Sequence, residues 1–187
     1  MSKMDVDGLF AVGGDANPRP CHRIALDQVD NPILLNTLRI WEGLKNGRRL
    51  PARQDITPRV MKPILRNTTL IKVIEGGADY EYRIVGDASV MAHGQSFQGL
   101  RWSHTKTLTP HFPKFIKPVY DCIVREGEPL AMRGWIDRTG AARGHIYCEY
   151  LYLPLGAAEV DHILVVAVYH RRDGHAHTTE MSSSLAV

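Results

Sequence analysis

Cysteine is scarce in this chain of 187 residues: Cys21, Cys122 and Cys148 are scattered, odd in number and never in C-x-x-C spacing. That pattern argues against a disulfide framework or a structural zinc site and fits reduced thiols in a cytosol. Long apolar runs are lacking as well. The longest strongly apolar one, Ile163 to Tyr169, falls far short of a bilayer. Met1 to Gly14 does not read as a secretory signal, because Asp5 and Asp7 interrupt it and Leu9 to Val12 is too brief for the apolar region. A soluble, cytoplasmic protein without a membrane span is expected. Charge of one sign is also missing: 23 basic side chains face 20 acidic ones, for a formal net charge of +3. Nucleic acid and anionic membranes are therefore not expected as main partners.

Catalytic motifs are absent too. There is no G-x-S-x-G, no phosphate-binding glycine loop and no H-E-x-x-H, and Asp87, Asp121 and Asp137 lie scattered without a partner pattern. The expectation is a protein that is not an enzyme. No internal repeat and no low-complexity segment breaks the chain.

What is present is ordinary globular composition, 44% apolar and 23% charged, in a length that fills one core. Residues 1–28 lack clear periodicity and read as a flexible extension, and 173–187 as a flexible tail. Between them, 29–172 reads as one domain with a leading helix. Asn31-Pro32 is an N-cap followed by proline where a helix tolerates it, and Leu34, Leu38 and Trp41 share one helical face before Gly47. Leu50 to Pro58 is an extended connection, since each proline keeps its predecessor out of the helical region. A short helix near Arg59 to Ile64 follows.

Thr68 to Glu75 and Asp79 to Val85 read as a hairpin around Gly76-Gly77, with Tyr80, Tyr82 and Ile84 on the more apolar face. A short helix is expected at Asp87 to His93 and a longer one at Pro110 to Glu126, striped by Phe112, Phe115, Ile116, Val119 and Ile123. Three strands complete the set, at about 129–138, 144–155 and 161–170. The order predicts an α+β fold: a five-stranded antiparallel sheet with helices on one face, plus an N-terminal helix. The helical crossover lets the last strand return beside the first.

The local words sharpen that expectation. Trp41 precedes Gly47-Arg48-Arg49-Leu50-Pro51-Ala52-Arg53-Gln54-Asp55-Ile56-Thr57-Pro58, and Asp79-Tyr80-Glu81-Tyr82-Arg83-Ile84-Val85-Gly86 follows. Over roughly residues 30 to 170 this resembles the compact, stand-alone PAS-domain proteins of proteobacteria, with their W…G-x-x-L-P-x-R-x-D-I-x-P stretch and Y-x-Y-R-[IL]-V-G strand. The resemblance implies a sensory or regulatory domain that acts through a signalling partner protein. PAS domains hold haem, flavin, small metabolites or nothing between sheet and helices, and no cofactor is assigned here.

Within that frame Tyr82, Met91, Phe97, Phe115, Val119 and Tyr150 are candidate lining residues of a ligand cavity, with plain core packing as the other reading. Arg53, Asp55 and Arg83 would either grip an anion in a guanidinium fork or pin the connection through an ion pair. Leu34, Leu38 and Trp41 would face the sheet or a second copy, and a homodimer is expected. Nine histidines raise a metal or haem reading, and His93, His104 and His111 lie where some PAS domains ligate haem. Yet no pair has i, i+4 spacing on a firm helix, and His175 and His177 fall in the tail, so surface positions are expected and no metal is assigned. The asparagine-cysteine motif of light-sensing relatives is missing. Two other classes stay open: a ligand-free interaction module, and a cone-shaped α+β enzyme acting on a small apolar substrate.

Overall fold

The computed structural model describes residues 21–108, 112–137 and 145–170. Its first strand, β1 (His22–Ile24), falls inside the stretch expected to be a flexible extension. It pairs antiparallel with the edge of the sheet, and Cys21, Ile24 and Val29 are buried. Three residues held by backbone pairing leave no periodicity to read, which is why the sequence hid them. Residues 1–20 and 171–187 lie outside the described residues.

Helix α1 (Pro32–Lys45) begins where expected. Asn31 Oδ1 accepts from the Ile33 amide at 3.0 Å, and Asn46 ends the helix in the left-handed region at φ 46°. The connection then passes through α2 (Pro58–Met61), capped by Thr57. The hairpin is β2 (Thr68–Ile74) and β3 (Asp79–Val85). Its register slips between Leu70 and Ile71, which pair with Ile84 and Tyr82, so Arg83 is an extra residue. This bulge corrects the expected alternation: Val85, not Ile84, joins Tyr80 and Tyr82 on the buried face.

Gly86 comes next, with its backbone against the carbonyls of Leu65 and Arg66, where a Cβ would overlap both. That close approach seats α3 (Asp87–His93) beside the sheet. Helix α4 (Trp102–Leu108) was not expected, and α5 (Phe112–Glu126) was. Strands β4 (Leu130–Asp137), β5 (His145–Gly156) and β6 (Val160–His170) follow.

The sheet is antiparallel throughout, six strands in the order β1-β4-β5-β6-β2-β3, with β6 returning beside β2 as expected. Both faces of its centre are covered. Tyr150 and Tyr152 of β5 point to the side where α5 packs, with Tyr120 edge-on to Tyr152. Leu151, Leu153 and Leu155 alternate to the opposite side and are fully buried. There α1 lies, tied by Asn31 Nδ2 donating to Glu149 Oε1 at 3.0 Å and Trp41 Nε1 donating to the Pro154 carbonyl at 2.9 Å. Each buried leucine contributes about 1.5–3 kcal/mol. Burial on both faces also explains the continuous apolar run of β6, which no water-facing side interrupts. Among the described residues, no helix is long and apolar enough to cross a membrane.

A tyrosine cavity as the candidate functional site

Between the sheet and its α3–α5 side lies a cavity of about 30 Å³. Each lining group arrives by a simple periodicity. Tyr150 and Tyr152 come from alternate positions of β5, and Val165, Ala167 and Tyr169 from alternate positions of β6. Thr69 of β2 stands opposite Val85 of β3, and the bulge turns Tyr82 the same way. Helix α3 supplies Ser89 and His93, one turn apart, and α5 supplies Ile116 and Tyr120 in the same spacing. Phe97 closes the wall. Five of the chain's seven tyrosines meet here.

The rings pack as tilted and edge-on pairs. Tyr150 lies 5.7 Å from Tyr152 and 5.9 Å from Tyr169, centre to centre, and Tyr82 lies 5.9 Å from Phe97. A hydrogen-bonded chain runs along one rim. Thr69 Oγ1 and Ser89 Oγ are 3.5 Å apart, Ser89 Oγ and the Tyr169 hydroxyl 3.0 Å, and that hydroxyl and His93 Nε2 3.4 Å. The Tyr82 hydroxyl differs. It is buried, and no group among the described residues completes a hydrogen bond with it.

Burial raises the pKa of the tyrosine hydroxyls. It pushes the Tyr82 hydroxyl up to about 12, with the nearby Tyr120 hydroxyl tempering the rise and the Asp79 charge adding to it. Burial likewise lifts Tyr169 to about 12, against hydrogen bonding from Ser89 and Tyr150. Tyr120, Tyr150 and Tyr152 are driven well above the usual phenol value by the same loss of water. Among the described lining residues there is no Asp, Glu, Lys, Arg or Cys side chain, and beside the tyrosine hydroxyls stands one imidazole, His93.

Of the residues proposed from sequence, Tyr82, Phe97 and Tyr150 stand at this wall. Val119 is fully buried in the core nearby, one residue before Tyr120. Met91 needs correction: it is 48% exposed, with its thioether 3.7 Å from Arg66 Nη2. On a helix, two residues beyond Ser89 is the opposite face, and a seven-residue segment carries too little pattern to fix that phase. The Phe115 side chain lies outside those described. Thr69, Ser89, Tyr120, Tyr152 and Tyr169 were missed, although period-two spacing from Tyr150 pointed to Tyr152.

The polar trio does not gather. Arg53 Nη1 donates to the Ile56 carbonyl at 3.1 Å, and Arg83 pairs with Glu81 at 2.5 Å. Asp55 accepts from the Ala52 amide at 2.8 Å and from Arg48 Nη2 at 2.5 Å. The ion pair expected with Arg53 or Arg83 is thus made with Arg48. The Ala52 amide, then Arg48, hold the Asp55 carboxyl below its ordinary value. With Leu50 and Ile56 buried beside it, the stretch is a strap over the domain.

Leu34 and Trp41 are buried against their own sheet and Leu38 is half-buried there, so the stripe packs on the sheet, the first of the two uses open to it. His93 is buried and not a surface residue, while His104 is exposed and His111 lies outside the described residues. Among the described residues, no three His, Cys, Asp or Glu side chains gather as a metal site. Cys21, Cys122 and Cys148 are free and buried.

The family described as the PAS domain matches this chain over residues 29–169. No curated protein and no solved structure matches it.

Proposed function

The chain belongs to the PAS domain family, and on that premise we propose that it is a non-catalytic sensory protein that binds a small molecule in the tyrosine cavity and signals through a partner protein. The observation that carries this reading is the Tyr82 hydroxyl, buried at the cavity wall without a hydrogen-bond partner. A buried polar group is expected to be satisfied, and here a ligand would satisfy it. Strands β5 and β6 give occupancy a route outward. They carry cavity residues on one face and the α1 contacts on the other, so a shift of Tyr150 or Tyr169 is felt beneath Trp41.

The wall also bears on chemistry. Burial has moved the tyrosine hydroxyls away from the working pH, which counts against them as general bases or nucleophiles. A second reading is a ligand-free interaction module, favoured by the small size of the void.

Native mass spectrometry of the purified chain, with extraction of anything it carries, separates the two. A stoichiometric bound compound, or a thermal shift on adding one that Tyr82→Phe diminishes, supports sensing. An empty chain whose melting responds to no compound supports the interaction module.

A further inference from the structure

The chemistry of the wall narrows the occupant, on the premise that the cavity is a binding site. Three observations act together. The void is about 30 Å³, where one water needs about 10–15 Å³. Among its described lining residues there is no Asp, Glu, Lys or Arg, and the one imidazole, His93, meets the Tyr169 hydroxyl through Nε2, so a carboxylate or ammonium inside would find no permanent counter-charge to offset its lost hydration. Its hydroxyls are not equally free. Tyr169 is held between Ser89 and His93, whereas the Tyr82 hydroxyl, with Tyr120 beside it, completes no hydrogen bond of good geometry.

We propose that the cavity takes an uncharged molecule of about two to four heavy atoms, with a short apolar body and one carbonyl oxygen that accepts from the Tyr82 hydroxyl. Val165, Ala167 and Ile116 offer the apolar body its contacts, and Phe97 stands beside the Tyr82 ring. A ketone fits better than an alcohol or a primary amide, because it supplies the acceptor that the Tyr82 O–H asks for without bringing a donor of its own, so short ketones are the chemical class. Haem and flavin are far larger than this space, and a carboxylate would bring a charge that no described lining Lys or Arg offsets.

Methyl NMR of the full chain tests this, with acetone, acetate and methylammonium as probes. Acetone is expected to shift the Ile116, Val165 and Ala167 methyls in a saturable manner, with an affinity no tighter than about 10–100 µM for so few atoms. Acetate and methylammonium are expected to leave those methyls unmoved. Tyr82→Phe, which removes only an unpartnered hydroxyl, is expected to weaken acetone binding roughly fivefold to tenfold.

Acetate binding as well as acetone, or acetone binding unchanged by Tyr82→Phe, overturns the assignment. If acetone fails while a larger compound co-purifies in the cavity, the inference falls and the sensory reading stands. If no probe saturates and nothing co-purifies, the cavity holds only water and both fall.

Discussion

The two faces of strands β5 and β6 are built to different standards. On the α1 side Leu151, Leu153 and Leu155 are fully buried, and the polar atoms that enter have partners: Trp41 donates to Pro154, and Asn31 to Glu149, which also meets His170 at 2.7 Å. On the α3–α5 side the same strands present tyrosines, leave a void and keep one hydroxyl unsatisfied. The first face is packed for stability. The second gives up packing and hydrogen bonding.

The largest break in that contrast is expected from Trp41→Ala. Removing the indole leaves a cavity under α1 and orphans the Pro154 carbonyl, at a cost of about 3–5 kcal/mol in denaturant unfolding. A loss under 1 kcal/mol would mean that α1 is not part of the core.

Alkaline titration probes the other face. The Tyr82 and Tyr169 hydroxyls titrate at about 12 in the folded chain against an ordinary 10.0, so the unfolded chain releases its protons first. Stability is therefore complete below pH 10.0 and is lost as pH rises toward about 12. Melting temperature and tyrosinate absorbance should fall and rise together over that window, and tyrosinate forming before any unfolding would contradict the burial.

Tyr169→Phe comes next. It removes the hydroxyl that Ser89 and His93 both meet at the rim, and an expected loss of about 1–3 kcal/mol would appear as earlier denaturant unfolding. Smallest is Tyr82→Phe without ligand. Its hydroxyl has no bond to lose, so stability should stay within about 1 kcal/mol of the parent, on the stabilising side. A large loss would reveal a partner for that hydroxyl.

Much of the scaffold was legible because its signals are local. Asn31-Pro32 started α1, Gly76-Gly77 turned the hairpin, and the stripe through Val119 and Ile123 marked α5. The site was legible in part. Tyr150 and Tyr82 could be placed by alternation, but β1 was invisible, because three residues paired through backbone carry no side-chain pattern. The phase of α3 was equally hidden, so Met91 was taken in place of Ser89 and His93. The ion pair expected between Asp55 and Arg53 or Arg83 was hidden for another reason: Arg48, seven residues away, reaches Asp55 first.

The sequence by itself determined the family, the antiparallel return of the last strand and the order of the elements other than β1 and α4, since these rest on periodicity and turn residues that are written locally. Only the tertiary structure decided which tyrosines converge. The bulge at Arg83, the burial of both faces of β5 and β6, and the close approach at Gly86 each depend on segments far apart in the chain. A void with an unsatisfied hydroxyl is a property of such packing, and no single stretch of residues encodes it.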